Sequence, residues 1–155
     1  LGTIDDVSKR TPSAFQNAGE KIILIGKTDA DLSASEYAGI YNQIGNQTPK
    51  VNYEELKSEI NFLLESQSLI SSAHDISNGG LITALIESTI LKNLGFNIDT
   101  NLVHSQIGAA LFAETPGRSI FSAKESNVSK LESLAKKYNK SYSTIERWLK
   151  LWVII

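Results

Sequence analysis

The segment Ser72-Ala73-His74-Asp75-Ile76-Ser77-Asn78-Gly79-Gly80-Leu81 combines residue types suited to holding a phosphorylated ligand. It reads as a polar loop with a glycine pair that opens straight into an apolar helix. The first N–H groups of a helix lack intrahelical partners and carry the positive end of its dipole. Glycine lets a ligand approach the backbone closely. Together these features make a phosphate cradle. Asp75 stands just upstream, where a carboxylate can hold a metal ion that bridges phosphate oxygens. Magnesium favours that mode, with few protein carboxylates and several waters. The same residues also suit a plainer role, with Ser77 or Asn78 as a helix cap and the glycines as a tight turn. Spacing alone leaves both open. His74 by itself reads as a hydrogen-bonded loop histidine, and His104 lies in a polar stretch with no function attached.

Composition narrows the classes. With 2 histidines and no cysteine, a histidine-rich or thiolate metal site, a disulfide and a cysteine nucleophile are all excluded. The length of 155 residues fits one domain. A hydrophobic fraction of 41% against 21% charged is that of a globular chain able to bury a core without staples. The net charge of −2 argues against a nucleic-acid binder, which needs a basic patch to displace counterions. No apolar run is long enough to span a bilayer, and Trp152-Val153-Ile154-Ile155 is far too short. The chain opens at Leu1 and contains no methionine, so a processed chain or, in preference, a piece of a longer protein is expected. No basic start followed by an apolar stretch marks a signal peptide, which makes a cytoplasmic origin the expectation.

The elements that must position these residues follow from periodicity. Lys21 to Ile25 is a short apolar run ended by Gly26, and reads as a buried strand. Ser33-Ala34-Ser35-Glu36 has the form of a capping box with Ser33 at the N-cap, followed by a short helix through Tyr41. Gly45 to Pro49 reads as a loop. Asn52 caps a second helix over about 53–67, with Tyr53, Leu56, Ile60, Leu63 and Leu64 at helical spacing. Leu81 to Leu91 is apolar nearly all round, as in a helix buried on several sides. Phe96–Ile98, Leu111–Ala113, Ser119–Ala123 and Tyr142–Ile145 read as strand segments, and about 125–138 as an amphipathic helix. Trp148 to Trp152 alternates apolar and polar, compatible with a strand or a helix. The expected class is α+β with α/β-type layers: a mixed sheet flanked by helices.

At residues 72–81 the sequence resembles phosphoribosylformylglycinamidine synthases, whose signature reads Ser-Ala-His-Asp-(Val/Ile)-Ser-Asp-Gly-Gly-Leu. Other elements fall in the family's order. Lys21-Ile22-Ile23-Leu24-Ile25-Gly26 resembles its strand before Ser-Glu-Tyr, and Ser35-Glu36-Tyr37 matches that tripeptide. Leu111-Phe112-Ala113-Glu114-Thr115-Pro116-Gly117-Arg118 resembles its Leu-Phe-Ser-Glu-Ser-x-x-Arg. The similarity runs from Leu1 to about Ile145. It is to one part of that enzyme, the C-terminal domain of the superfamily that includes aminoimidazole ribonucleotide synthetase, thiamine-monophosphate kinase, selenophosphate synthetase and HypE. In that superfamily nucleotide binds between an N-terminal and a C-terminal domain.

The resemblance implies ATP-dependent conversion of formylglycinamide ribonucleotide and glutamine-derived ammonia to formylglycinamidine ribonucleotide, with ATP and Mg2+ as cofactors. Residues 1–155 would form a single C-terminal synthetase-like domain. Its implied partners are the N-terminal synthetase domains of the same chain, a glutaminase subunit if the parent is the small type, the small-molecule substrate, and a second copy in a homodimer. No catalytic residue is carried over: the family's catalytic histidine lies in the N-terminal domain, so the isolated fragment is expected to be inactive. Residue by residue, Asp75, Gly79, Gly80 and Ala113 match positions beside ATP, and Glu114 matches a candidate magnesium ligand. Thr115 and Arg118 match candidates for the substrate phosphate or for holding their loop; an arginine forks readily onto a phosphate or carboxylate. Ser35 and Glu36 read as a helix cap. Two departures stand out. Asn78 replaces the family's frequent aspartate, and 146–155 lacks the expected glycine-containing turn. The rival readings are another superfamily enzyme, such as a phosphotransferase, and a non-catalytic module that binds nucleotide structurally.

Overall fold

The computed structural model describes residues 3–30, 32–43, 45 and 50–145. Four strands, β1 (Lys21–Ile25), β2 (Ser72–Asp75), β3 (Ser119–Ala123) and β4 (Tyr142–Thr144), form one sheet in the order β2-β3-β1-β4. Five helices accompany them: α1 (Glu36–Ile40), α2 (Tyr53–Ser66), α3 (Gly80–Ile90), α4 (Ile107–Phe112) and α5 (Glu125–Lys137). The α+β class is as expected. The sheet, expected to be mixed, is instead antiparallel in each of its pairings. Strands β1 and β2 run in the same direction on either side of α2, but β3 lies between them. Strands β3 and β4 do the same around α5, with β1 between. These are two interleaved split β-α-β units, the ferredoxin-like plan, with α3 and α4 inserted between β2 and β3.

Alternation along the strands divides the core in two. Ile22, Leu24 and Ile120 pack with Phe15, Leu81, Ala84 and Leu85 on the α3 side. Ile23, Ile25, Phe121 and Ala123 pack with Phe62 of α2 and Leu131 and Ala135 of α5 on the other. The buried stripe of α2 runs through Glu59, Phe62 and Ser66, while Tyr53, Ile60 and Leu64 are exposed. Phe62 stacks on Phe121 at 5.8 Å between centroids, and Glu59 accepts from the Ser119 hydroxyl at 2.6 Å. Polar residues paired inside thus occupy part of the face that apolar spacing placed elsewhere. Helix α3 is buried through Leu81, Ala84, Leu85, Ser88 and Thr89, but Ile86 and Ile90 are exposed, so it is less enclosed than its composition suggests.

Several expected boundaries move. The N-cap of α1 is Ser35, whose hydroxyl accepts from the Ala38 N–H, and not Ser33. Residues 72–75, expected within a loop, form an edge strand, and the Pro12 carbonyl covers that edge by accepting from the Ala73 N–H at 3.0 Å. The strand expected at 96–98 is an isolated bridge at Ile98. Leu111–Ala113 is not a strand: Leu111 and Phe112 end α4 and Ala113 is its C-cap. A short apolar run does not separate strand from helix, and Ala109 and Ala110, both buried, favour the helix. Residues 46–49 of the expected loop and the 146–155 tail lie outside the described residues.

Candidate functional site

The loop between β2 and α3 is built around two left-handed glycines. Gly79, the N-cap of α3, has φ +80°, and Gly80 has φ +72°. Non-glycine residues pay a steric cost in this region. Gly80 also lies against the end of α4: a Cβ there would sit 2.7 Å from the Leu111 carbonyl oxygen and 2.8 Å from the Phe112 Cα. No side chain at the N-cap satisfies the start of α3, so neither Ser77 nor Asn78 caps it. The Gly80 N–H returns to the Ser77 carbonyl at 3.0 Å. The Gly79 N–H is donated to Glu114 Oε1 at 2.8 Å.

Glu114 is the hub of this region. Its Oε1 also accepts the Glu36 N–H at 2.8 Å, at the first residue of α1. The Asn78 amide lies 3.5 Å from Glu36 Oε1 and closes the circuit between the three segments. Tyr37 stacks on Phe112 at 4.8 Å between centroids, which seats α1 on α4. The Ser-Glu-Tyr element is therefore fastened to the glycine loop through a carboxylate 35 residues beyond Gly79.

Arg118 organises the adjacent loop from beneath. It is 2% exposed. Its Nε donates to the Thr115 carbonyl at 3.2 Å, Nη1 to the Thr28 hydroxyl at 2.8 Å, and Nη2 to the Ala113 carbonyl. Burial pushes its pKa down to about 10, opposed by the Asp29 charge. These bonds brace the loop from Ala113 to Arg118. Thr115 uses its hydroxyl to accept the Asp29 N–H at 3.1 Å. Ala113 is fully buried, and its carbonyl is taken by Arg118. Asp75 ends β2 opposite Ser119, with its side chain 78% exposed. The next amide, Ile76 N–H, donates to the Arg118 carbonyl at 2.9 Å.

The residues singled out by sequence thus share one neighbourhood: Gly79 and Glu114 in direct contact, Gly80 on α4, and Ala113, Thr115 and Arg118 in one loop that also fixes Ile76. Sequence reasoning missed Thr28 and Asp29. The signal was Gly26, at φ +92°, where a Cβ would collide with the Gly117 carbonyl oxygen, so that glycine marks the contact between the two loops. It also missed Glu87 of α3, whose Oε2 lies 3.1 Å from His74 Nε2.

Among the described residues no group of three or more His, Asp or Glu side chains converges to hold a metal ion. Oε1 of Glu114 is already engaged, while Asp75 is open to solvent. The donor set fits a magnesium ion carried in on phosphates, with one or two carboxylates added, and does not form an all-protein cage. An open groove of about 480 Å³ between α2 and α5, lined in part by Glu65, Leu69, Leu134 and Lys137, contains none of these site residues. No helix among the described residues is long and apolar enough to cross a membrane.

The model for the family described as AIR synthase related protein, C-terminal domain, matches residues 17–145. The chain belongs to this family. It is 34% identical over 139 residues to the phosphoribosylformylglycinamidine synthase subunit PurL of Nocardioides sp., covering 89% of this chain and 18% of that protein. Among solved structures, T. maritima PurL complexed with FGAR superposes with a TM-score of 0.81 at 18% identity, covering 93% of this chain and 26% of that one. T. maritima PurL complexed with ATP gives 0.78 at 18% identity, covering 94% and 24%. At that identity the structures bear on the fold. The chain spans about a fifth of the length of the curated relative it matches, 18%.

Proposed function

We propose that this chain is a C-terminal synthetase-like domain of a longer, cytoplasmic phosphoribosylformylglycinamidine synthase, and that it forms one wall of a cleft for ATP and formylglycinamide ribonucleotide. The observation that carries this reading is the meeting of motif residues from separate segments, Glu36, Gly79 and Glu114, at the amide-bearing start of α3. In the proposed reaction ATP phosphorylates the carbonyl oxygen of the glycinamide unit, releasing ADP. Ammonia then adds to the activated carbon, and phosphate leaves with the C–O bond to give the amidine. The preceding domains of the same chain and a glutaminase subunit would supply the catalytic histidine and the ammonia.

Magnesium, when bound, neutralises charge developing on the phosphoryl oxygens. Asp75 and the second oxygen of Glu114 are the residues suited to hold it. Gly79 leaves room for the Thr83 side chain, and Gly80 lets the start of α3 pack against the end of α4, which sets that start in place beside the proposed cleft. Arg118, with Thr28 and Thr115, keeps the Ala113–Arg118 loop in place behind them. Asn78 replaces a carboxylate of the usual motif by a neutral amide that reaches Glu36, which lessens the negative charge facing the phosphates.

Substituting Asp75→Ala in the full-length enzyme tests the assignment. Steady-state kinetics should show kcat/KM for ATP falling by about 100-fold. Wild-type kinetics for that variant would reject the reading. The 155-residue chain alone is expected to show no turnover.

A further inference from the structure

The Asp75 side chain is exposed, with Oδ1 3.6 Å from His74 Nδ1, and the Asp75 backbone is held as well. That backbone is held at one peptide unit from both sides. The Ile76 N–H donates to the Arg118 carbonyl at 2.9 Å. The Asp75 carbonyl of the same peptide lies 2.7 Å from His74 Nδ1. A carbonyl oxygen only accepts, so this bond requires a proton on Nδ1. The far end of the ring faces an acceptor too: Nε2 lies 3.1 Å from Oε2 of Glu87, two turns into α3, and a carboxylate likewise only accepts, so this anchor requires a proton on Nε2 as well. The imidazole therefore spans from the end of β2 to the helix whose start carries the glycine pair. Fixed at both nitrogens, it resists the rotation that would free the Asp75–Ile76 peptide.

We propose that His74 is a positioning residue for nucleotide binding, acting through Asp75: its Nδ1–H fixes the Asp75 carbonyl, and Glu87 fixes the ring. The inference rests on the assignment of Asp75 to the ATP site. Its physical basis is preorganisation. A carboxylate on an exposed strand end contributes most to phosphate and metal binding when its backbone is already locked in the binding geometry. Partners of this kind are felt in affinity although they touch no ligand.

The two nitrogens can be separated by substitution in the full-length enzyme. Glutamine places its amide near the ε position and loses the δ donor, whereas asparagine keeps a donor near δ. His74→Gln should raise KM for ATP about tenfold, leaving KM for formylglycinamide ribonucleotide and the denaturation midpoint unchanged. His74→Asn should recover most of the ATP affinity. Glu87→Ala should give a smaller rise in the same constant. Equal rises in both KM values, a loss of stability shared by Gln and Asn, or Asn no better than Gln would mark a merely structural histidine and overturn the proposal. Asp75→Ala separates this failure from that of the broader reading. If Asp75→Ala is defective while the His74 variants behave as wild type, only the role of His74 is lost. If Asp75→Ala is itself normal, the ATP assignment is lost and the inference with it.

Discussion

Helices α2 and α3 lie on opposite faces of the same sheet and start in opposite ways. Asn52 Oδ1 caps α2 by accepting from the Glu54 and Glu55 amides at 3.1 and 3.3 Å, and both glutamates sit in the first turn. Everything the dipole needs is local. Helix α3 has no side-chain cap, no acidic residue in its first turn and two left-handed glycines at its start. Its N-cap amide is satisfied by Glu114, from a distant part of the chain. A locally capped helix needs only its own segment to begin. A helix left bare by its own sequence has to be met by an acceptor from elsewhere, and here that acceptor also grips α1. The difference makes the start of α3 depend on tertiary contacts, while α2 is anchored by its own segment.

The largest expected effect tests the close approach of α3 to α4. At Gly80 a Cβ would collide with backbone of Leu111 and Phe112, and the left-handed φ adds strain. Gly80→Ala should cost about 3 kcal/mol or more, since backbone cannot move aside as a flexible side chain does. Gly39, inside α1, has an ordinary φ, and a methyl group there would meet nothing within 4 Å. Gly39→Ala should stabilise by about 0.5–1 kcal/mol through helix propensity. Urea denaturation of the full-length protein, with hydrogen exchange followed across residues 80–90, reads both. Similar small effects at the two glycines would remove the contrast.

Next in size is the carboxylate bracket. Glu114→Ala leaves two backbone amides without their acceptor and should cost about 1–3 kcal/mol. Exchange of the Gly79 and Glu36 amides should accelerate together, because one oxygen serves both. Glu114→Gln retains an acceptor oxygen and should restore much of that protection. Asn52→Ala should cost about 1 kcal/mol and speed only the Glu54 and Glu55 amides. If the Gly79 and Glu36 amides respond independently, the bracket is not a single unit.

How much of this is legible in the sequence depends on whether the deciding contact is local. Strands β1 and β3, the Asn52 cap and the span of α5 follow from short-range pattern, and the structure has them where the pattern puts them. Residues 72–75 read as loop because Ser72, His74 and Asp75 are polar. Their strand character comes from pairing with β3 and from the Ser72–Ser122 hydroxyl contact at 2.7 Å. The antiparallel order is invisible in sequence because it depends on strands inserted between same-direction neighbours. At the site, motif resemblance selects residues that do lie together. It cannot show that Glu114 already engages two amides, that Arg118 braces its loop from beneath, or that His74 and Glu87 meet across β2 and α3. Those facts belong to tertiary contacts.

The smallest effect lies on the α2 side, where that helix meets α5. Lys137 Nζ lies 2.7 Å from each oxygen of Glu65, and the Tyr138 hydroxyl donates to Glu65 Oε2 at 2.5 Å. The hydrogen bond from Lys137, and then that from Tyr138, lowers the Glu65 pKa below 4.5. The same carboxylate raises Lys137 above 10.5 and Tyr138 above 10.0. The signs define a window. The contribution of Glu65 is present above pH 4.5 and is lost as pH falls through its lowered folded value. Those of Tyr138 and Lys137 are present below 10.0 and 10.5, and are lost as pH rises through their raised folded values. Because the cluster is exposed, solvent screens it, and the denaturation midpoint should be nearly flat between those limits. The clear readout is side-chain NMR titration: Lys137→Ala should return Glu65 towards 4.5, and Glu65→Gln should return Tyr138 towards 10.0. Titrations that stay put would leave Phe62, Leu131 and Ala135 to join these helices to the sheet without electrostatic help.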